Sequence, residues 1–392
     1  MTAQWTAIEA IGAFQDDLVA WRRDIHAHPE LGFEESRTSD VVADKLASFG
    51  LEVHRGLAKT GIVATLRAGS SDRTIGLRAD MDALPIQETN AFDHRSRHAG
   101  KMHACGHDGH TTMLLGAARY LADNPAFDGS IHFIFQPAEE GLGGARAMIA
   151  EGLFDRFPMD NVYGMHNSPG MPAGTFAIRP GPMMAGGAFF DIDISGVGAH
   201  GARPEHSVDP VIVASHITTA LQTIVARNTK PVDTAVVSVT QIQTGDAYNV
   251  IPQTAHMKGT VRAFNRDTMD LIEQRMRAIA EGVGQGLGAQ VTVDFRETFA
   301  PVVNEPSETE IAADAAADLV GEENVSRNRS LIMGSEDFSY MLEACPGAYI
   351  RIGNGAGEGS CQVHNPAYDF NDEILALGAS YWARLVARKL AA

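Results

Sequence analysis

Residues 130–140 read SIHFIFQPAEE, a short apolar run that carries straight into Pro137 and two adjacent carboxylates, Glu139 and Glu140. A run of this kind, apolar at four of the six positions from Ser130 to Phe135, fits a strand buried on both faces, as parallel sheets covered by helices require. Pro137 blocks any helical continuation. Similar runs occur at Gly61 to Arg67, Thr74 to Arg78 and Asn161 to Met165. Helical spacing appears between and before them, at about Ala7 to His28, His110 to Leu121 and Gly144 to Glu151. Strands alternating with helices predict an α/β fold with a mostly parallel sheet.

From Ala188 the order changes. The pattern becomes strand (Phe189 to Ile194), helix (Val208 to Ala226), strand (Ala235 to Gln243), strand (His256 to Phe264), helix (Thr268 to Glu281) and strand (Gln290 to Phe295). This βαββαβ succession predicts a ferredoxin-like α+β unit. Gly181, Pro182, Gly186 and Gly187 mark where it begins, and Pro301 and Pro306 where it ends. The expected division is a main domain of residues 1–184 and 300–392, interrupted by an inserted domain at 185–299. A last helix, Glu373 to Leu390, returns to the main sheet, and the pair Met183-Met184 fits hinge packing.

Composition narrows the function. With 392 residues the chain is long enough for about two domains, and its 44% hydrophobic content is enough to bury sizeable cores. The 49 acidic residues outnumber 31 basic ones for a net charge of −18, which argues against a nucleic-acid partner, since phosphate binding depends on basic patches. No segment offers the apolar length of a membrane span, and the first residues lack a basic start and apolar run, so a cytoplasmic protein is expected. Three scattered cysteines, Cys105, Cys345 and Cys361, cannot build a disulfide framework.

The densest chemistry lies in Met102-His103-Ala104-Cys105-Gly106-His107-Asp108-Gly109-His110. Thiolate, imidazole and carboxylate are donors for zinc-type metals, and a glycine-containing turn lets Cys105 and His107 converge. Alone, the tract also fits a solvated His-rich turn. Glu139 and Glu140 stand at a strand's carboxyl end, where one carboxylate can bind metal while its neighbour, pointing elsewhere, serves as a general base. An acidic helix N-terminus is the simpler alternative. His166 follows the strand Asn161 to Met165 at the same edge, where ligands of open α/β sheets bind, and His364 lies in an irregular loop before the last helix. His26 and His28, two apart in a helical pattern, read as structural or supporting groups. Asp80 and Asp82, and with them Glu336 and Asp337, fit a role in orienting ligands.

These stretches, with RRDIHAHPELGFEE (22–35), LRADMDALP (77–85), QPAEEG (136–141), GAHGARP (198–204), NVIP (249–252) and GSEDF (334–338), make the chain resemble peptidase family M20 over essentially its whole length. It is most similar to the amidohydrolase branch, which includes hippurate hydrolases, indole-3-acetyl-amino acid hydrolases and N-acetyl-diaminopimelate deacetylases. The resemblance implies two divalent ions per subunit, zinc, manganese, nickel or cobalt, bridged by Cys105, with His107 and His166 on one and Glu140 and His364 on the other. Other branches place an aspartate where Cys105 stands. It further implies Glu139 as general base, and an inserted domain that acts as lid and joins a homodimer or higher oligomer. His200 would then steady the oxyanion in the partner's site, while Asn249 and Arg262 would hold the substrate's carboxylate; for Arg262, a solvated sheet face is the plain alternative. The implied reaction is hydrolysis of a small-molecule N-acyl amino acid, hippurate-like or N-acetyl. A metallo-dipeptidase or carboxypeptidase would share the chemistry but must accommodate a charged α-amino group. A non-catalytic, metal-stabilised binding protein would hold a closed four-coordinate metal.

Overall fold

In a computed structural model the protein is described over residues 5–356 and 361–391. It divides into two compact units, one of Met1–Met183, Val303–Ser330 and Asp337–Ala392, the other of Met184–Val302 and Leu331–Glu336. The short segment Leu331–Glu336, separate in sequence from Met184–Val302, thus belongs to the second unit.

The first unit is built on an eight-stranded sheet in the order Glu52–Leu57, Gly61–Ala68, Gly129–Gln136, Thr74–Asp80, Asn161–Ser168, Gly347–Gly353, Phe176–Ala177, Val325–Ser326. Its centre is parallel: Thr74–Asp80 pairs with Gly129–Gln136 on one side and Asn161–Ser168 on the other, and Gly347–Gly353 continues the parallel run. The two pairs at the Glu52 edge are antiparallel. Gly129–Gln136 is buried at every position, as a strand covered on both faces is. The helices His107–Asp123, Leu375–Lys389 and Pro306–Val320 pack on the sheet and on one another, closing a core around Leu77, Phe133, Met113 and Trp382. Approach is tight enough that a Cβ on Gly378 would stand 2.0 Å from Met113 Sδ.

Several elements differ from the sequence pattern. The N-terminal helix is two pieces, Glu9–Gly12 and Gln15–Ala27, parted after Gly12, a residue of low helix propensity. The helix expected from His110 begins at His107, because Gly106 adopts φ 99° and starts it one turn early. Asn161–Ser168 and Thr74–Asp80 run past their expected ends, so His166 and Asp80 lie within strands. The central strand Gly347–Gly353 and the helices Ser36–Ser48 and Pro306–Val320 carried no clear pattern in sequence.

The second unit is an antiparallel sheet in the order Ala235–Thr244, Thr254–Ala263, Gly186–Ser195, Gln290–Phe299, with the helices Pro210–Thr223 and Arg266–Leu287. This is the ferredoxin-like order. Its core is drawn from Ile192, Ile217, Leu221, Met257, Ile272 and Met276. Both helices start on side-chain caps: Asp209 accepts from Val211 N with Pro210 in the first turn, and Asn265 accepts from Thr268 N. A separate short ladder pairs Ala199–His200 with Val250–Ile251. Among the described residues no helix is long and apolar enough to cross a membrane.

Candidate metal centre

Because its central strands are parallel, the first unit brings their carboxyl ends to one edge, and the chemically active side chains gather there. Glu139 and Glu140 follow Gly129–Gln136, and His166 lies near the end of Asn161–Ser168. Cys105 and His107 come from the turn and first residue of the helix His107–Asp123. At the intervening Gly106, a Cβ would stand 2.7 Å from both Asn167 Oδ1 and the Tyr368 hydroxyl, so only glycine fits. Three groups of ligand atoms result, each within 4.8 Å: Cys105, His107 and His166; Cys105, Glu140 and His364; and His107, Glu139 and Glu140. Cys105 is common to the first two.

The side chains are aimed. His107 Nδ1 lies 3.2 Å from Asp82 Oδ1, which leaves Nε2 buried with no hydrogen-bond partner. His166 Nδ1 donates to Asn167 O at 2.6 Å, and its Nε2 lies 3.3 Å from Cys105 Sγ. Glu140 Oε1 is buried 3.1 Å from His364 Nε2, yet the two are not aligned as a hydrogen bond. Asp82 serves twice, since its Oδ2 accepts from Glu140 N at 3.0 Å. Buried nitrogen and oxygen atoms left without hydrogen bonds, around a thiol shared by two groups, fit divalent cations of the zinc type. A further group, Asp80, His107 and His110, is different in kind. Asp80 accepts from Arg78 Nη1 and from His110 Nδ1, both at 2.6 Å, and His110 Nε2 accepts from Asn167 N at 3.0 Å, so these atoms are satisfied within the protein.

Electrostatics agrees with that division for Cys105 and His166. Burial, and then the charge of Glu140, push the Cys105 thiol up to about 12. It becomes a ligand only where a cation offsets both effects. Burial also holds His166 neutral, well below its ordinary range, with Arg351 adding to the effect. Burial works against charge on His107 as well, but Asp80 and Cys105 outweigh it and raise that group well above its ordinary value.

Glu139 is buried beside these ligands, with its Oε1 3.4 Å from Asp337 N. It belongs to neither group that contains Cys105. Asp337 is fully buried and accepts from Gln136 Nε2 at 2.7 Å and Ala145 N at 2.9 Å. His26 is buried between Asp108 and Glu88, whose hydrogen bonds overcome burial and push it up to about 9. His28 contacts Asp24 O at 2.8 Å through Nδ1. In the second unit His200 and Asn249 are brought together: Gly201 N donates to Asn249 O at 2.7 Å and Val250 is paired with His200. His200 is exposed, and its Nδ1 accepts from Ala202 N at 3.0 Å, which puts the proton of the neutral ring on Nε2. Arg262 is half-buried, donating to Thr260 Oγ1 at 2.6 Å and Val261 O at 2.8 Å, and no carboxylate pairs with it among the described residues. Asn167 had no signal in the sequence, although it fixes both His166 and His110.

The model of peptidase family M20/M25/M40 matches residues 76–388. The chain is 44% identical over 370 residues to a hippurate hydrolase of Campylobacter jejuni, covering 94% of this chain and 95% of the relative. To an N-acetylcysteine deacetylase of Bacillus subtilis it is 38% identical over 375 residues, covering 95% and 97%. A solved Bacillus subtilis structure, described as a dinuclear metal-binding peptidase of the M20 family, matches with a TM-score of 0.84 at 35% identity over 97% of this chain and 99% of that one.

Cobalt(II) added to the metal-free protein is expected to give a thiolate-to-metal charge-transfer band in the near ultraviolet. Cys105→Ser should abolish the band and weaken binding of both ions by roughly tenfold or more, since it removes a direct ligand where supporting groups alone are worth about 10–100-fold. A band that survives in the variant would place the metal elsewhere.

Proposed function

We propose a substrate and a mechanism for this chain, which belongs to peptidase family M20/M25/M40 and is an amidohydrolase. The substrate is an N-acyl amino acid, hippurate-like or N-acetyl, and the products are a carboxylic acid and a free amino acid. The observation that carries the mechanism is the placement of Glu139: a buried carboxylate against His107 and Glu140, one more than the two Cys105 groups use.

Cys105, His107 and His166 would hold one cation, and Cys105, Glu140 and His364 the other. Bound there, two divalent ions would supply Lewis acidity, lowering the pKa of water and polarising the amide carbonyl. Glu139 takes a proton from the water as its oxygen attacks the carbonyl carbon, and delivers that proton to the amide nitrogen as the C–N bond breaks. The inserted domain, residues 185–299, acts as a lid and as the joint of a homodimer. His200, with its proton on Nε2, donates to the oxyanion in the partner's site, the kind of group such an intermediate needs. Asn249 and Arg262 hold the substrate's carboxylate. An arginine that is half-buried without a carboxylate of its own supports that reading.

Glu139→Gln should keep its metal and lose roughly 10²–10⁴-fold in kcat, the usual worth of a positioned base; near-normal hydrolysis at full metal content would sink the mechanism. Matched substrates separate the peptidase alternative: an N-acetyl amino acid should be cleaved and the corresponding dipeptide with a free α-amino group should not. Action of His200 across the dimer can be read by mixing. Subunits carrying Glu139→Gln and subunits carrying His200→Ala, each inactive alone, should regain hydrolysis when exchanged, because one site of the mixed dimer is then intact. Exchange without any recovery would contradict a role in the partner's site.

A further inference from the structure

The segment 22–35 is the longest of the stretches that carry the family resemblance, and its last residue, Glu35, has no part in the chemistry described above. Glu35 stands at the cap position of the helix Ser36–Ser48, yet its side chain makes no cap hydrogen bond. It is fully buried instead. One oxygen, Oε1, accepts from Ala138 N at 2.9 Å, and the other, Oε2, accepts from Thr60 Oγ1 at 2.6 Å.

Ala138 is an unusual residue to find so held. Its φ is 55°, a left-handed conformation that a residue with a Cβ adopts only where its surroundings impose it. It immediately precedes Glu139 and Glu140. The turn is clamped from its other side too: Gly144 N donates to Ala138 O at 3.0 Å, and Gly141 N to Glu139 O at 2.6 Å. Gly32 supplies the floor, where a Cβ would stand 3.0 Å from Ala138 Cα. An Ala138 N–H turned inward by this conformation needs a buried acceptor, and Glu35 is the one it finds.

We propose that Glu35 is a positioning residue for the reaction: it holds the Pro137–Glu140 turn through Ala138 N, so that Glu139 faces the reacting atoms while Glu140 faces the metal. The inference rests on the roles assigned above to Glu139 and Glu140. Burial pushes Glu35 up to about 7, so charged and neutral forms are both accessible near neutral pH, and an oxygen can accept from Ala138 N in either. Hydrogen bonding, not charge, is then the property that matters. Glutamine keeps it and leucine does not. Loss of the acceptor frees the turn, and displacement of a base by about 1 Å is enough to cost roughly 10²-fold in rate.

The test compares Glu35→Leu and Glu35→Gln in the metal-loaded enzyme with an N-acetyl amino acid, alongside metal content, urea unfolding and amide hydrogen exchange. Glu35→Leu should lose roughly 10²-fold in kcat with KM within about threefold. The Ala138 amide should exchange about tenfold or more faster, while amides of Thr74–Asp80 keep their protection. Glu35→Gln should restore both kcat and Ala138 protection to within about threefold of the parent. If Glu35→Leu does not fold, Thr60→Val, which removes the steadying hydroxyl, should shift kcat and Ala138 exchange in the same directions by a smaller factor. The proposal is overturned if Glu35→Leu, or failing that Thr60→Val, leaves kcat unchanged. It is overturned equally if kcat falls without a change at Ala138, or if Glu35→Gln is as impaired as Glu35→Leu. An active Glu139→Gln enzyme would instead overturn the assignment of the base, and Ala138 exchange would still report whether Glu35 holds the turn.

Discussion

A guanidinium with no access to water must find all its partners inside the protein, and Arg78 is such a group. It sits on the central strand Thr74–Asp80, fully buried, and donates to Asp80 Oδ2 at 2.6 Å, Gln136 Oε1 at 2.8 Å and Asp337 Oδ1 at 3.2 Å. Those partners end two neighbouring parallel strands and begin the helix Phe338–Ala344, so one cation ties three elements together at the active edge. The tie extends further. Asp80's second oxygen holds His110, His110 accepts from Asn167 N, and Asn167 O accepts a hydrogen bond from His166 Nδ1. The aim of a proposed ligand is thus set by a charge several residues away. Removing one partner of such a pair would strand the other in the interior, at a cost of about 3–5 kcal/mol.

The same reasoning separates supporting carboxylates from working ones. Asp80, Asp108 and Asp337 are all fully buried, and each is matched by protein cations or donors: Arg78 for the first and third, His26 and Arg22 for the second. Beside Cys105 stand His107 and His166, and beside Glu140 stands His364 at 3.1 Å, imidazoles that would share a divalent cation with them. The charge of −18 therefore has a local meaning beyond solubility. Divalent cations held by these donors would offset that charge locally.

What could be read in the sequence follows from how far each feature is local. The ferredoxin-like unit was legible element by element, because its strands have one exposed face and alternate visibly between helical stretches. The central strand Gly347–Gly353 was not, since a strand buried on both faces between two loops shows no alternation and carries Arg351 in its middle. The start of the helix at His107 was hidden for a related reason: His107, Asp108 and His110 are polar yet buried, the reverse of an amphipathic pattern, because they serve the site. Cys105, His107, Glu139, Glu140, His166 and His364 could be named from motif and strand ends. Of the groups that aim them, Asp80 and Asp82 could be named at a strand end, and the others could not. Asn167, Gln136 and Glu35 act through bonds to residues as far as 103 or 201 positions away, and no local spacing records such a partner.

Backbone strain shows the cost of that arrangement. Among the described residues five non-glycine positions have positive φ: Phe33, Ala58, Lys59, Ala138 and His364. One of these is itself a proposed ligand, and another precedes both working glutamates. His364 is anchored in its conformation by donating its N–H to Ala104 O at 2.6 Å, which ties the loop carrying it to the turn that carries Cys105. Neither strain is relieved locally, so each persists only because surrounding groups over-determine it. The donors are consequently preorganised before any cation arrives, in a protein whose rigid parts are the parallel strands and their buried ion pairs. Cation binding then has little conformational entropy to offset, and its free energy goes into offsetting the burial of the Cys105 thiol.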